Sequence, residues 1–192
     1  DGVRKHLSPE FESDVVVSRY LSNGVWRRAY NAVEAALHQG DVNHVTGDVH
    51  FLTYFLDSRR TLLTVLDCGP LAGEMSMRKQ AIKLLWYTIP VRRCALITTI
   101  SQAVKDDLLR HVSIDPDRVH VVPVFVSSRY QRSPKAFNAD KPTILQVGTR
   151  PNKNLPRLIE ALAGLSCHLT IVGKLSEEQV LLLDQHQLDY RN

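Results

Sequence analysis

The stretch KPTILQVGTRPNKNLPRLIEALAGLSCHLTIVGK, residues Lys141 to Lys174, constrains this chain most, because its pattern admits one local architecture. Thr143 to Val147 is a short run of β-branched and apolar residues that stops at Gly148, where a residue without Cβ lets the backbone turn sharply and approach a ligand. Leu155, Leu158, Ile159, Leu162 and Leu165 then recur at helical spacing, with Asn152 or Asn154 placed to cap the first turn. Pro156 suits that first turn, where no donor is needed. His168 to Val172 is a second strand, ended by Gly173. Strand, helix and strand in this order predict a β-α-β unit with parallel strands. Arg150 and Lys153 lie between the first strand and the helix, and a helix N-terminus flanked by cations attracts diphosphate.

Upstream, the same alternation continues. DVVVSR (Asp14 to Arg19) reads as a strand, and Gly24 to His38 as a helix with Val25, Ala29, Val33, Ala36 and Leu37 on one side, ending at Gly40. Val42 to Thr46, Thr61 to Leu66, Ala95 to Ile100 and Arg118 to Val122 read as buried strands, and Ser101 as the cap of the helix QAVKDDLLRH. Ser127 to Asp140 is polar, holds Pro134 and two Ser/Arg pairs, and has no period. The expected organisation is a first domain over 1–127, a linker over 128–140 and the start of a second domain over 141–192.

In open α/β sheets ligands bind beyond the C-terminal ends of strands, which singles out Asp48 and His50 in TGDVH and Asp67 in TVLD. The alternative for the first pair is that Asp48 caps a helix beginning VHFLTYFL with His50 on its exposed face. His44, inside a strand, reads as a core or supporting histidine.

These motifs together resemble the retaining, nucleotide-sugar-dependent glycosyltransferases of family 4, which have the GT-B fold. The Val147-Gly148 turn, Arg150 and the Lys153-Asn154 pair are similar to the donor-diphosphate grip of that family. DVNHVTGDVHFL, TLLTVLDCGPL, LITTISQAVKDDLL and DRVHVVPVFV are similar, in order, to strand-end motifs of its first domain. The resemblance runs from about Asp41 onward and implies an α/β protein: an incomplete, Rossmann-like, acceptor-type first domain and the beginning of a Rossmann-like nucleotide-sugar domain. It implies Gly148, Arg150 and Lys153 as donor-binding residues. Leu66 stands where many relatives have a histidine at the reaction centre, and Leu cannot hydrogen-bond, so either His50 or Asp67 carries that contact, or the enzyme is impaired, or this subgroup arranges the site differently. VPVFVS likewise replaces a commoner Pro-Asn-Gly-type turn. The paired-glutamate motif of the second domain does not occur before Asn192, so the chain is expected to be a piece of a longer enzyme, inactive by itself.

The expected activity is sugar transfer from a nucleotide diphosphate sugar to a glycan or lipid-linked acceptor with retained anomeric configuration. A GT-B epimerase or phosphorylase, or a non-catalytic nucleotide-binding module, are the alternatives. No metal and no cofactor beyond the donor substrate is expected.

Composition narrows the partners. With 24 Lys and Arg against 20 Asp and Glu, a net charge of +4 and a pI near 9.1, the chain suits phosphate-bearing ligands and lacks the clustered excess of a nucleic-acid binder. Cys68, Cys94 and Cys167 lack metal-type spacing and sit in apolar surroundings, which predicts buried free thiols. No apolar run approaches the roughly 20 residues of a membrane span, and the start DGVRKHLSPEFESD has no signal-peptide core, so a cytoplasmic location is expected. Met77 to Arg93 mixes Ile82, Leu84, Leu85, Trp86 and Ile89 with five cations. It predicts a helix packed on the sheet or, alternatively, one lying on the anionic inner face of a membrane.

Overall fold

The computed structural model describes residues 4–127, 130–134 and 136–192. The start of the chain, Asp1 to Val3, and the linker residues Ser128, Arg129 and Lys135 lie outside the described residues. The protein is α/β, with two parallel, Rossmann-like sheets in two compact units, 1–130 and 131–192.

In the first unit the helix α1 (Val25–Leu37) precedes the strand β1 (Asn43–Val45), which pairs in parallel with β2 (Thr61–Val65). The chain returns through a long helical passage: α2 (Met77–Ile82), a π-helical segment (Lys83–Thr88) and α3 (Ile89–Arg93). It then enters β3 (Leu96–Thr99), α4 (Gln102–His111) and β4 (Val119–Val121). The sheet order is β1-β2-β3-β4, every pair parallel. Leu63, Val65, Ile97 and Val119 on the strands pack with Tyr87, Val91 and Leu108 from the helices. Ser101 caps α4 as its sequence predicts, its Oγ accepting from the Val104 N–H at 3.3 Å. Residues on the other side of the sheet form a polar ladder, His44 Nε2 to Thr64 Oγ1 and Thr64 Oγ1 to Thr98 Oγ1, each 2.7 Å. His44 is therefore a solvent-facing ladder residue and not a core histidine.

Two expectations fail here. Asp14 to Arg19 forms no strand, and Val15, Val16 and Val17 are all more than half exposed. β-Branched composition describes a fit to a pleated, half-buried surface, and without a neighbouring strand it specifies nothing. Helix α1 forms where expected but buries Asn31 and Ala32, while Val25, Val33 and Leu37 face outward. The Asn31 side chain explains the rotation: it clasps the Tyr20 backbone, donating to the carbonyl at 2.7 Å and accepting from the N–H at 3.2 Å.

The second unit repeats the β-α-β pattern. β5 (Thr143–Val147), α5 (Leu155–Leu162), β6 (His168–Val172), α6 (Glu177–Gln185) and β7 (Asp189–Arg191) give a parallel sheet of order β5-β6-β7. Thr143 lies opposite His168 and Val147 opposite Val172, the in-register parallel pairing expected of this segment. Leu155, Ile159 and Leu162 of α5 and Leu183 of α6 are buried against Leu169 and Ile171. Leu165 falls beyond the last turn and is exposed. Asn154 occupies the N-cap position of α5 in a left-handed conformation, φ 56°, and its side chain makes no capping bond. The opposite face of this sheet leaves Leu145, Val147 and Val172 more than half exposed. All three cysteines are free and buried, and burial pushes the Cys68 and Cys94 thiols up to about 11 and about 12.

Candidate functional site

Two groups of residues gather at strand C-termini, one in each unit. In the first unit, β1 ends in a turn at Gly47, φ 85°, which only glycine adopts freely, and the chain passes through Asp48 into a 3-10 turn, His50–Tyr54. His50 is buried at 3% exposure, which excludes the exposed-helix-face alternative. Asp48 caps nothing; its Oδ1 accepts from Trp86 Nε1 at 3.0 Å. The Arg28 guanidinium lies 4.6 Å from the centre of the Trp86 ring, a cation–π contact that steadies the indole.

The position of His50 follows from a defect in the helical passage. In the π-helical segment the Ile89 N–H reaches back to the Leu84 carbonyl, and Pro90 has no N–H at all. Leu85 and Trp86 thus lose the donors that normally arrive from four residues on. Tyr54 donates its hydroxyl to the Leu85 carbonyl, and His50 Nδ1 donates to the Trp86 carbonyl at 2.6 Å. Because a carbonyl only accepts, Nδ1 carries the proton, and Nε2 remains as the acceptor of the neutral ring. Burial lowers the His50 pKa, partly offset by the Trp86 carbonyl and by the charges of Asp48 and Asp67. Desolvation disfavours the charged imidazolium and so favours the neutral ring, with Nε2 as its acceptor.

Asp67 stands just beyond β2, exposed, with Oδ1 accepting from the Gly69 N–H at 2.9 Å. Tyr87 joins the two residues: its ring meets the His50 ring edge-on at 5.2 Å, and its hydroxyl donates to the Asp67 carbonyl at 3.1 Å. The structure therefore brings His50 and Asp67 together at neighbouring strand ends. Leu66, beside them, is partly exposed and offers no polar atom.

In the second unit the strand ends of β5 and β6 are locked side by side, with the Gly148 N–H donating to the Val172 carbonyl at 2.8 Å. Gly148 has φ 89°, and a Cβ on it would meet Lys153 Cγ at 3.0 Å, so the lysine stem lies across the glycine. Gln146 Nε2 donates to the carbonyls of Gly148 and Lys153, both at 3.1 Å, and so closes the loop on itself. Thr149 Oγ1 donates to the Lys174 carbonyl at 2.7 Å, and Gln179 Nε2 to the Thr149 carbonyl at 2.8 Å. The loop that carries Arg150 and Lys153 is thus pinned at both ends. Both side chains are exposed, and among the described residues neither has an ion-pair partner.

Sequence reasoning missed two cations of the same group. Lys174 follows Gly173 as Arg150 follows the Gly148 turn, and Arg191 is the last residue of β7. The strand-end rule applied to His168 to Val172 would have found Lys174, whereas Arg191 lies on a third strand that the sequence does not announce. Asn192 fastens that edge, its Nδ2 donating to the Gly173 carbonyl at 2.7 Å and to the Ile171 carbonyl at 3.2 Å. Four cations at three adjacent strand ends favour an anion, against the Glu177 and Glu178 carboxylates in the first turn of α6.

Among the described residues no group of three His, Cys, Asp or Glu side chains could hold a metal ion, and no helix is long and apolar enough to cross a membrane. A comparison with models of known protein families gives no match, and neither does a comparison with curated proteins.

Proposed function

We propose that this chain belongs to a glycosyltransferase that takes a sugar from a nucleotide diphosphate donor and passes it, with retention, to a glycan or lipid-linked acceptor. The observation that carries the reading is the pinned loop from Gly148 to Lys153, which presents Arg150 and Lys153, without an ion-pair partner among the described residues, at a strand end and at the start of α5. Negative charge grows on a leaving diphosphate as the glycosidic bond breaks. Fixed cations there contribute more in the transition state than in the ground state, without reorganising at the moment of reaction. Lys174 and Arg191 extend the same field. His50, neutral with a free Nε2, accepts a hydrogen bond from a sugar or acceptor hydroxyl, and Asp67 supplies a carboxylate beside it. These are the polar contacts that Leu66 does not provide.

The reading includes a cytoplasmic setting. Peripheral contact with a membrane is supported by Met77 at 81% exposure and by half-exposed Leu84 among the cations of α2 and the π-helical segment. The test is incubation of the intact protein with a panel of nucleotide diphosphate sugars, with release of nucleoside diphosphate and the anomeric configuration of the product followed by NMR. Release coupled to a product of retained configuration supports the reading. Binding without turnover assigns the chain to a nucleotide-binding module, and an altered sugar still on its nucleotide assigns it to an epimerase.

A further inference from the structure

A cleft of about 660 Å³ in the first unit shares no residue with the His50 and Asp67 group. It opens between the helical passage and the end of α4. Lys83, Thr88 and Arg92 come from one wall, and Arg110, His111 and Ser113 from the other. Its volume falls within the roughly 300–1,000 Å³ of small-ligand sites. The polar groups are all donors or carry donors, and the cleft lining contains no carboxylate. Val112 and Leu109 supply apolar floor, and Val112 is fully buried, which lowers the local dielectric and strengthens attraction to a charge.

A scatter of solvated surface cations accounts poorly for this arrangement. The chain as a whole nearly balances its charges, 24 basic residues against 20 acidic, whereas here Lys83, Arg92, Arg110 and His111 converge on one concavity. Asp115 lies between the lining residues Ile114 and Pro116, and Asp107 pairs with Arg110 and lines a smaller neighbouring cavity of about 290 Å³ that shares Arg110 and His111. Among the described residues the side chains of Lys83, Arg92 and His111 have no ion-pair partner. Arg110 and His111 sit in the last turn of α4, where cations complement the helix dipole, but that explains neither Lys83 nor Arg92, which belong to another helix. The carbonyl end of α4 opposes an anion with about half a charge, less than the cations facing it.

We propose that this cleft is a second anion site, which takes a phosphate or diphosphate group, either free in solution or as the headgroup of an anionic lipid. Lys83 and Arg92 grip the group from one wall and Arg110 from the other, with the Thr88 and Ser113 hydroxyls completing its hydrogen bonds. Arg92 and Arg110 present planar donor forks suited to phosphate oxygens.

The experiment uses the intact protein carrying Arg150→Ala, Lys153→Ala, Lys174→Ala and Arg191→Ala, so that the strand-end cations of the second unit do not contribute. Titration with inorganic pyrophosphate, followed by amide NMR, should shift the signals of Thr88, Val112 and Ser113. Adding Lys83→Gln and Arg92→Gln should weaken that binding at least about tenfold, the effect of losing a charged hydrogen bond. Arg78→Gln with Lys79→Gln, which removes equal charge outside the cleft, should leave it unchanged. A second arm measures sedimentation with vesicles of phosphatidic acid in phosphatidylcholine. Vesicle binding that depends on Lys83 and Arg92 and resists pyrophosphate assigns a lipid headgroup; binding that pyrophosphate displaces assigns a soluble ligand. The proposal is overturned if neither ligand binds, or if the two double variants lose binding equally.

Discussion

At the scale of single residues, His50 and Gly148 carry the most specific expectations. Burial holds the His50 pKa below the ordinary histidine value, so the unfolded chain binds a proton more readily than the folded one. The stabilisation is therefore complete above the unfolded pKa of about 6.5 and is lost as pH falls through the depressed folded value. The thermal midpoint should fall as pH drops below about 6.5, and His50→Gln should flatten that slope; a variant with the parent's slope contradicts the assignment. For Gly148→Ala, the left-handed φ of 89° and the Lys153 stem 3.0 Å from the new Cβ predict a loss of about 1–2 kcal/mol, read as a lower urea midpoint. An unchanged midpoint would mean that the turn is not held as described. The sequence made Gly148, Arg150 and Lys153 legible because local spacing alone places them. It could not disclose that His50 Nδ1 binds a carbonyl 36 residues away, since that contact exists only after packing.

At the scale of elements, short β-branched and apolar runs located β1 to β6, whereas β7, with the sequence DYR, carries no such run and was not legible. DVVVSR carries the same signal and forms none, since pairing depends on a neighbour that a composition window does not contain. The helical passage from Met77 to Arg93 was legible as a helix but not as one interrupted by a π-helical segment. Its sequence signal was Pro90, which had to leave the Trp86 carbonyl without its usual donor. Pro90→Ala returns an N–H that competes with His50 for that carbonyl. The imidazole ¹⁵N shifts of His50 should then move from the Nδ1–H form toward a tautomer mixture. Shifts identical to the parent's would show that Pro90 does not set the ring. Tyr54→Phe, which leaves the Leu85 carbonyl to water or to no partner, should cost about 1 kcal/mol in denaturant unfolding.

At the scale of the whole molecule, each unit has a core of its own, centred on Leu63, Val65 and Ile97 in the first and on Leu155, Ile159 and Leu169 in the second. Ile97→Ala and Leu169→Ala should each cost about 2–5 kcal/mol, with hydrogen-exchange protection lost over 43–121 in one case and over 143–191 in the other. Equal loss over both spans from either substitution would contradict separate cores. The parallel α/β architecture was readable because alternating strand and helix patterns leave few topologies. The outward face of α1 and the bare face of the second sheet were not, since periodicity shows that a face is apolar but not what it meets.

Calorimetric titration of the intact protein with nucleoside diphosphates checks the proposal that the Gly148 to Lys153 loop binds a nucleotide diphosphate. Saturable binding should weaken about tenfold or more in Lys153→Ala, about 1.5 kcal/mol for one charged hydrogen bond, and further in the double variant with Arg150→Ala. Affinity that is absent from the parent, or the same in parent and Lys153→Ala, would return both side chains to the role of solvated surface cations and remove the observation on which the proposed function rests.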